Sequence, residues 1–193
     1  MKAIARFLIA INTRVLWVGR QLAWISLTVM VAVILLQVVM RYVFNNALAW
    51  PEEAARFCML WMTGLTAASA LRWGGFVAID MLPNALPKRL ASLLNLVLFV
   101  MSATVLIVAI QYGYKHTFGF GGNFDASAMR IPLDWFGGES TRVKLRYMYA
   151  SLFTGVVLLL MVNIELILRT IISLFDPDAE LPNDNIALAA GAD

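Results

Sequence analysis

The sequence has one cysteine, Cys58, and one histidine, His116. A single cysteine excludes an internal disulfide and any multi-cysteine metal site. A single histidine excludes an iron held between two histidines of this chain, as in the haem-carrying class of small membrane subunits. Charge is also scarce: Asp, Glu, Lys and Arg make up 14% of the 193 residues, against 61% hydrophobic residues. A soluble domain cannot hide so much apolar surface, because surface-to-volume scaling leaves many side chains exposed. The formal net charge of +3 would hint at nucleic acid in a soluble protein. Here the Lys and Arg residues stand mostly between apolar runs and read as topology signals, so no nucleic-acid partner is expected. What the chain does have is long hydrophobic runs, and its length allows four to five spans at about 20 residues each.

Along the chain, Ile4, Phe7, Leu8, Ile11, Val15 and Val18 recur at helical spacing, with Lys2, Arg6, Thr13 and Arg20 roughly opposite. Residues 1–19 therefore predict a basic amphipathic helix in the membrane interface. No A-x-A-like site closes the next run, so this segment is expected to stay uncleaved. The first span covers about residues 22–40, and Arg41 and Tyr42 mark its water interface. A short connection then makes an antiparallel hairpin with a second span over about 51–72. Pro51 suits the first helical position, and Glu52 and Glu53 complement the positive end of the helix dipole. Arg56 lies within pairing range of both carboxylates. Gly64, Ala67, Ala68, Ser69 and Ala70 permit close helix packing in lipid. Arg72 stands at the negative end of the dipole, and Gly74-Gly75 can end the helix.

Residues 76–87, with Asp80 among apolar neighbours, predict a stretch along the interface before a third span over about 88–112. Ser92, Asn95 and Ser102 share one stripe of that span and are expected to face protein. Residues 113–146 form the expected periplasmic loop, with a glycine turn at 119–123 and a short docking element at 131–135. No GK[ST] follows those glycines, so a phosphate loop is excluded. The fourth span covers about 147–175, where Glu165 and Arg169 form an i, i+4 pair. The acidic, Ala-rich stretch 176–193 reads as a flexible cytoplasmic tail. The domain plan is thus 1–19 interfacial helix, 20–175 membrane domain and 176–193 tail. The fold class is an all-α integral membrane protein, with four transmembrane helices plus an N-terminal interfacial amphipathic helix. Eight Lys or Arg residues flank the spans on the side of the termini and five stand in the 113–146 connection; because the first helix usually dominates, both termini are expected in the cytoplasm.

The span interiors offer only Gln37, Asn95, Asn163 and hydroxyls, and the carboxylates stand at or near span ends. No paired carboxylates, nucleophile–base set or metal cluster emerges, so no enzyme activity, metal or cofactor is expected. A coupled transport path needs ionisable groups near the midplane, so the residues themselves point to a scaffold.

The run Arg41-Tyr42-Val43-Phe44-Asn45-Asn46, followed by Trp50-Pro51-Glu52-Glu53 and Arg56, resembles the signature of the small, DctQ-type permease subunit of tripartite ATP-independent periplasmic (TRAP) transporters. The likeness continues through Trp61, Gly64, Ala67 and Ala68 to Arg72-Trp73-Gly74-Gly75 and Asp80. Pro51 stands where family members often have Ser or Thr, and Phe76 where they often have His. Any role of that histidine does not carry over. The resemblance implies three partners: a large DctM-type permease subunit, a periplasmic substrate-binding protein and membrane lipid. It implies a bacterial inner-membrane subunit that braces the large permease and helps dock the binding protein during sodium-coupled uptake of an organic acid. It marks Arg41, Asn45, Trp50, Glu52, Glu53, Arg56, Trp61, Arg72 and Asp80 as interface or structural candidates. For Arg56 two readings stay open, an exposed cap pair with Glu52 or a poorly solvated charge that needs a carboxylate. Two other functions also stay open: a haem-free membrane anchor of a respiratory enzyme, and a stand-alone four-span exporter. The exporter would need an acidic residue in the first span, and residues 22–40 contain none.

Overall fold

A computed structural model describes residues 2–74, 87–131 and 141–175 of the chain. Four long helices dominate: α1 (Lys2–Tyr42), α2 (Trp50–Arg72), α3 (Lys88–Phe118) and α4 (Arg146–Phe175). Between α3 and α4 lie a 3-10 turn (Phe120–Asn123) and the antiparallel strands β1 (Asp125–Ile131) and β2 (Thr141–Lys144). Helices α2 and α4 pack together at the centre. Helix α1 flanks α2 and also touches α4, while α3 packs on the other side of α4. The core is the meeting of three helices: Leu16 and Ala23 of α1, Leu65 and Ala68 of α2, and Leu158 and Val162 of α4.

The outside is as apolar as the core. Met101 and Val105 of α3 are 63% and 67% exposed, and Leu35 of α1 is 59% exposed. Such flanks are stable only against lipid or another protein. Three helices, α1, α3 and α4, are long and apolar enough to cross a membrane. Helix α2 is shorter, at 23 residues or about 34 Å, and a larger share of its residues is charged or small. Three of the four expected spans therefore fall on strongly apolar helices, and the stretch expected as the second span falls on α2, which is not apolar enough to be counted with them.

The expected boundary near residue 20 is not a break in the backbone. Helix α1 runs unbroken for 41 residues, about 61 Å, roughly twice the hydrocarbon thickness. No proline precedes Pro51 and Gly19 is the only glycine before it, so nothing in the sequence stops the helix. The bundle buries Ala5, Ile9, Asn12 and Leu16, a mixed face of the first half. The apolar stripe of Phe7, Ile11, Val15 and Val18 points outward.

Helix α1 ends where Asn45 takes φ 54°, a left-handed conformation that Asn tolerates better than most residues. This turns the chain so that the Asn46 amide donates to the Met40 carbonyl at 2.9 Å. Helix α2 begins with Pro51 in its first turn, followed by Glu52 and Glu53. Two residues past its end the chain turns at Gly74, φ 70°, a backbone state glycine adopts without strain. Helix α3 extends to Phe118, six residues past the expected end at 112. The lone Gly113 does not stop it, because a glycine inside a helix costs only about 1 kcal/mol relative to Ala. Residues 75–86 and 132–140 are outside the described residues, as is everything after 175. The expectations for the 76–87 stretch with Asp80, the docking element around Pro132 and the tail fall there.

Candidate functional site

The helix order fixes two ends. The C-terminus of α1, the N-terminus of α2, the C-terminus of α3 and the N-terminus of α4 meet at the hairpin end. The opposite end gathers the start of α1, the end of α2 and the last turns of α4. Each end carries one polar cluster.

At the second end Glu165 is the hub, only 1% exposed. Its Oε1 accepts from Arg169 Nε at 2.9 Å and Nη2 at 2.8 Å, and from Arg72 Nε at 3.2 Å. The Arg72 Nη2 also lies 3.1 Å from Oε1. Its Oε2 accepts from Asn12 Nδ2 at 2.7 Å, and that amide donates as well to the Met161 carbonyl at 3.2 Å. Arg72 Nη1 donates to Thr13 Oγ1 at 2.9 Å. One carboxylate therefore ties α1, α2 and α4 together, and the neighbouring arginines leave the cluster with excess positive charge. Sequence spacing shows the Glu165–Arg169 pair. It does not show Asn12, which sits in a segment read as interfacial, nor that Arg72 joins the pair across helices.

At the hairpin end, Glu53 Oε1 accepts from the Ser127 amide of β1 at 3.2 Å, which pins the hairpin to the start of α2. The hairpin root is held by Arg146 Nη2, which donates to Asn123 Oδ1 at 2.7 Å. Arg56 pairs with Glu52, and their side chains are 67% and 64% exposed. In the chain by itself Arg56 is the exposed member of a cap pair. Such a pair contributes about 0–1 kcal/mol.

The other marked residues separate. Arg41 is exposed at the end of α1, and Asn45 makes the turn described above. Trp50 opens α2 and is 39% exposed. Trp61 packs against the core, with its ring 6.3 Å from that of Phe57. Its buried Nε1 has no acceptor among the described residues. Asp80 lies outside them. Asn163 of α4, fully buried, bridges to α3. With its amide oriented to suit its neighbours it donates to the Phe99 carbonyl at 3.2 Å and accepts from Ser102 Oγ at 3.0 Å. Ser102 therefore faces protein, as its stripe predicts. No three His, Cys, Asp or Glu side chains converge on a metal-sized site among the described residues.

The sequence matches the family model of tripartite ATP-independent periplasmic transporters, DctQ component, over residues 30–172. The sialic acid TRAP transporter permease protein SiaT of Haemophilus influenzae is 28% identical over 122 residues, which is 62% of this chain and 18% of that protein. The C4-dicarboxylate TRAP transporter small permease protein DctQ of Vibrio cholerae is 30% identical over 83 residues, 42% of this chain and 36% of that protein. A putative TRAP transporter small permease protein of H. influenzae is 27% identical over 93 residues, 48% of this chain and 54% of its own. The matched stretch thus spans about half or less of each relative's length. The family match covers most of the chain, including both polar clusters up to Arg169 apart from the α1 residues Asn12 and Thr13. Neither the respiratory-anchor nor the exporter reading has such support. The chain belongs to the DctQ-component family of TRAP transporters, a membrane-embedded transport component and not an enzyme.

Proposed function

We propose that this chain is the small inner-membrane subunit that braces a large permease subunit and helps dock a periplasmic substrate-binding protein during sodium-coupled uptake of an organic acid. The supporting observation is where the buried charge lies. Among the described residues, buried acidic and basic side chains occur only in the Glu165 cluster near one end of the bundle, where they bind one another. A substrate or sodium path would place such groups near the midplane. Between the two ends the helices carry packing residues and the Asn163 bridge. The substrate path then belongs to the large subunit, and the exposed flanks of α1 and α3 provide apolar surface for it.

The test is reconstitution. The purified chain alone should give no sodium-dependent uptake of sialic acid or C4-dicarboxylates, and it should copurify with a large multi-span partner. In the same pull-down Arg56→Ala should lower the yield of complex, while Arg14→Ala should not. Robust uptake by the chain alone would refute the scaffold reading. Equal yields from the two variants would leave the Glu52–Arg56 pair as a helix cap only.

The same reading orients the chain. Arg14, Arg20, Arg72 and Arg169 all lie at the Glu165 end, so that end is assigned to the cytoplasm with both termini. Asn45 and Asn123 then face the periplasm. A cysteine placed at position 123 in a Cys58→Ser background should label with a membrane-impermeant reagent from the periplasmic side. Labelling only from the cytoplasmic side would overturn the orientation.

A further inference from the structure

A groove of about 480 Å³ runs between α1 and α2, within the volume range of small-molecule sites. Ala23, Trp24 and Leu27 of α1 line it, with Met62 and Thr66 of α2. Its one interior hydroxyl, Thr66 Oγ1, already donates to the Met62 carbonyl at 2.8 Å, so the walls are in effect apolar. Arg20 and Trp73 form the mouth, with the guanidinium 4.7 Å from the centre of the indole ring. Trp73 directly follows the last residue of α2, so the mouth lies at the level where that helix ends. From there Leu27 is seven residues along α1 and Met62 eleven along α2, about 10 and 16 Å of helix. That depth matches one leaflet, half of a hydrocarbon core about 30 Å thick.

Charge decides what can sit there. The acidic residues described at the hairpin end are Glu52, Glu53 and Asp125, far from Arg20 along α2. At its own end the one described carboxylate, Glu165, is taken by Arg72, Arg169 and Asn12. Arg20 therefore has the Trp73 ring and no anion among the described residues. An acyl chain gains nothing by leaving bulk lipid for an apolar groove, so a free hydrocarbon would not be selected. A chain bearing a phosphate at its head would be, because the phosphate supplies the anion that Arg20 lacks and the indole fixes the guanidinium plane.

We propose that the α1–α2 groove is a phospholipid site, with one acyl chain along Ala23, Leu27 and Met62 and the lipid phosphate on Arg20. It rests on the membrane placement of the chain and not on its transport role, so it stands or falls independently of the uptake experiment. In the proposed orientation the mouth opens to the cytoplasmic leaflet, where anionic lipid is concentrated.

The experiment is native mass spectrometry of the full chain, delipidated in detergent and titrated with palmitoyl-oleoyl phosphatidylglycerol. The wild type should show one adduct that saturates before others appear. Arg20→Ala should weaken that first adduct by about tenfold, the scale of one lost charge-assisted pairing, while Arg14→Ala leaves it unchanged. Thr66→Trp, which fills the groove and keeps Arg20, should also abolish it. Glycerol phosphate, the head without the chain, should not compete. Equal titrations for Arg20→Ala and Arg14→Ala would overturn the site, as would retention of the adduct in a folded Thr66→Trp. Full competition by glycerol phosphate would show a free-phosphate site and refute the lipid.

Discussion

Replacing Glu165 with alanine is expected to destabilise the helix bundle by about 3–5 kcal/mol, the cost of removing one partner from a buried ion pair. The Arg72 side chain is 6% exposed and would lose its anion, and Asn12 would lose the acceptor for its 2.7 Å bond. The loss concerns three helices at once, so the end where α1, α2 and α4 meet should loosen together. Arg169→Ala should cost less. Its side chain is 19% exposed, and Glu165 would keep Arg72 and Asn12. Asn12→Ala should fall between, at about 1–3 kcal/mol for a buried acceptor stripped of its donor. Reversible unfolding by sodium dodecyl sulfate titration in mixed micelles gives the three values on one scale. A Glu165→Ala cost no greater than that of Arg169→Ala would mean that water reaches the cluster and screens it.

Replacing Glu165, Arg72 and Arg169 together by apolar residues of similar size need not cost as much, since buried ion clusters are often no better than good packing. The cluster is best understood as fixing register. Leu16 and Ala23 of α1 meet the core through apolar contact, which tolerates a slip of one turn along α4 better than a hydrogen bond does. The same slip would carry Asn12 about 5.4 Å away from Glu165 and break the bond.

These two views explain what could be read from the sequence. Contacts within one helix were legible, because helical geometry alone sets them. The Glu165–Arg169 pair, the Glu52–Arg56 pair and the Thr28 hydroxyl bonded back to the Trp24 carbonyl all follow from i, i+4 spacing. Contacts between helices were not legible. Arg72 and Glu165 are separated by 93 positions, and their meeting depends on how α2 and α4 cross. The buried face of the first half of α1 escaped for a related reason. That face mixes Ile9 and Leu16 with Ala5, Asn12 and Gly19, so the more uniform signal comes from Phe7, Ile11, Val15 and Val18, the side that stays outside. The hairpin escaped because a two-stranded ribbon within a mostly polar connection has too short a pattern to stand out.

The crossing of α2 and α4 rests on Gly64, and substituting it is expected to force those helices apart. A Cβ built on Gly64 would lie 2.6 Å from the Ser151 carbonyl oxygen, and one on Gly155 would lie 2.8 Å from the Gly64 Cα. Both obstacles are backbone, which cannot turn aside as a side chain can. Each helix carries a small-xxx-small pair at this contact, Gly64 with Ala68 and Ser151 with Gly155, the pattern that lets helices approach closely in lipid. Alanine normally favours a helix over glycine by about 1 kcal/mol. Overpacking costs about 1–3 kcal/mol and more where backbone must shift, so the clash decides the sign. Gly64→Ala should therefore destabilise by roughly 1–3 kcal/mol, and Gly64→Leu should prevent stable packing of α2 on α4. The pair should also be non-additive. Once Gly64→Ala has separated the helices, Gly155→Ala meets a gap already opened, and the double variant should cost less than the sum of the two. Gly121 is the control. A Cβ there meets no atom within 4 Å, so Gly121→Ala should leave stability unchanged. Unfolding titrations of these variants test the set, and strict additivity of Gly64→Ala with Gly155→Ala would show that the two glycines do not share one contact.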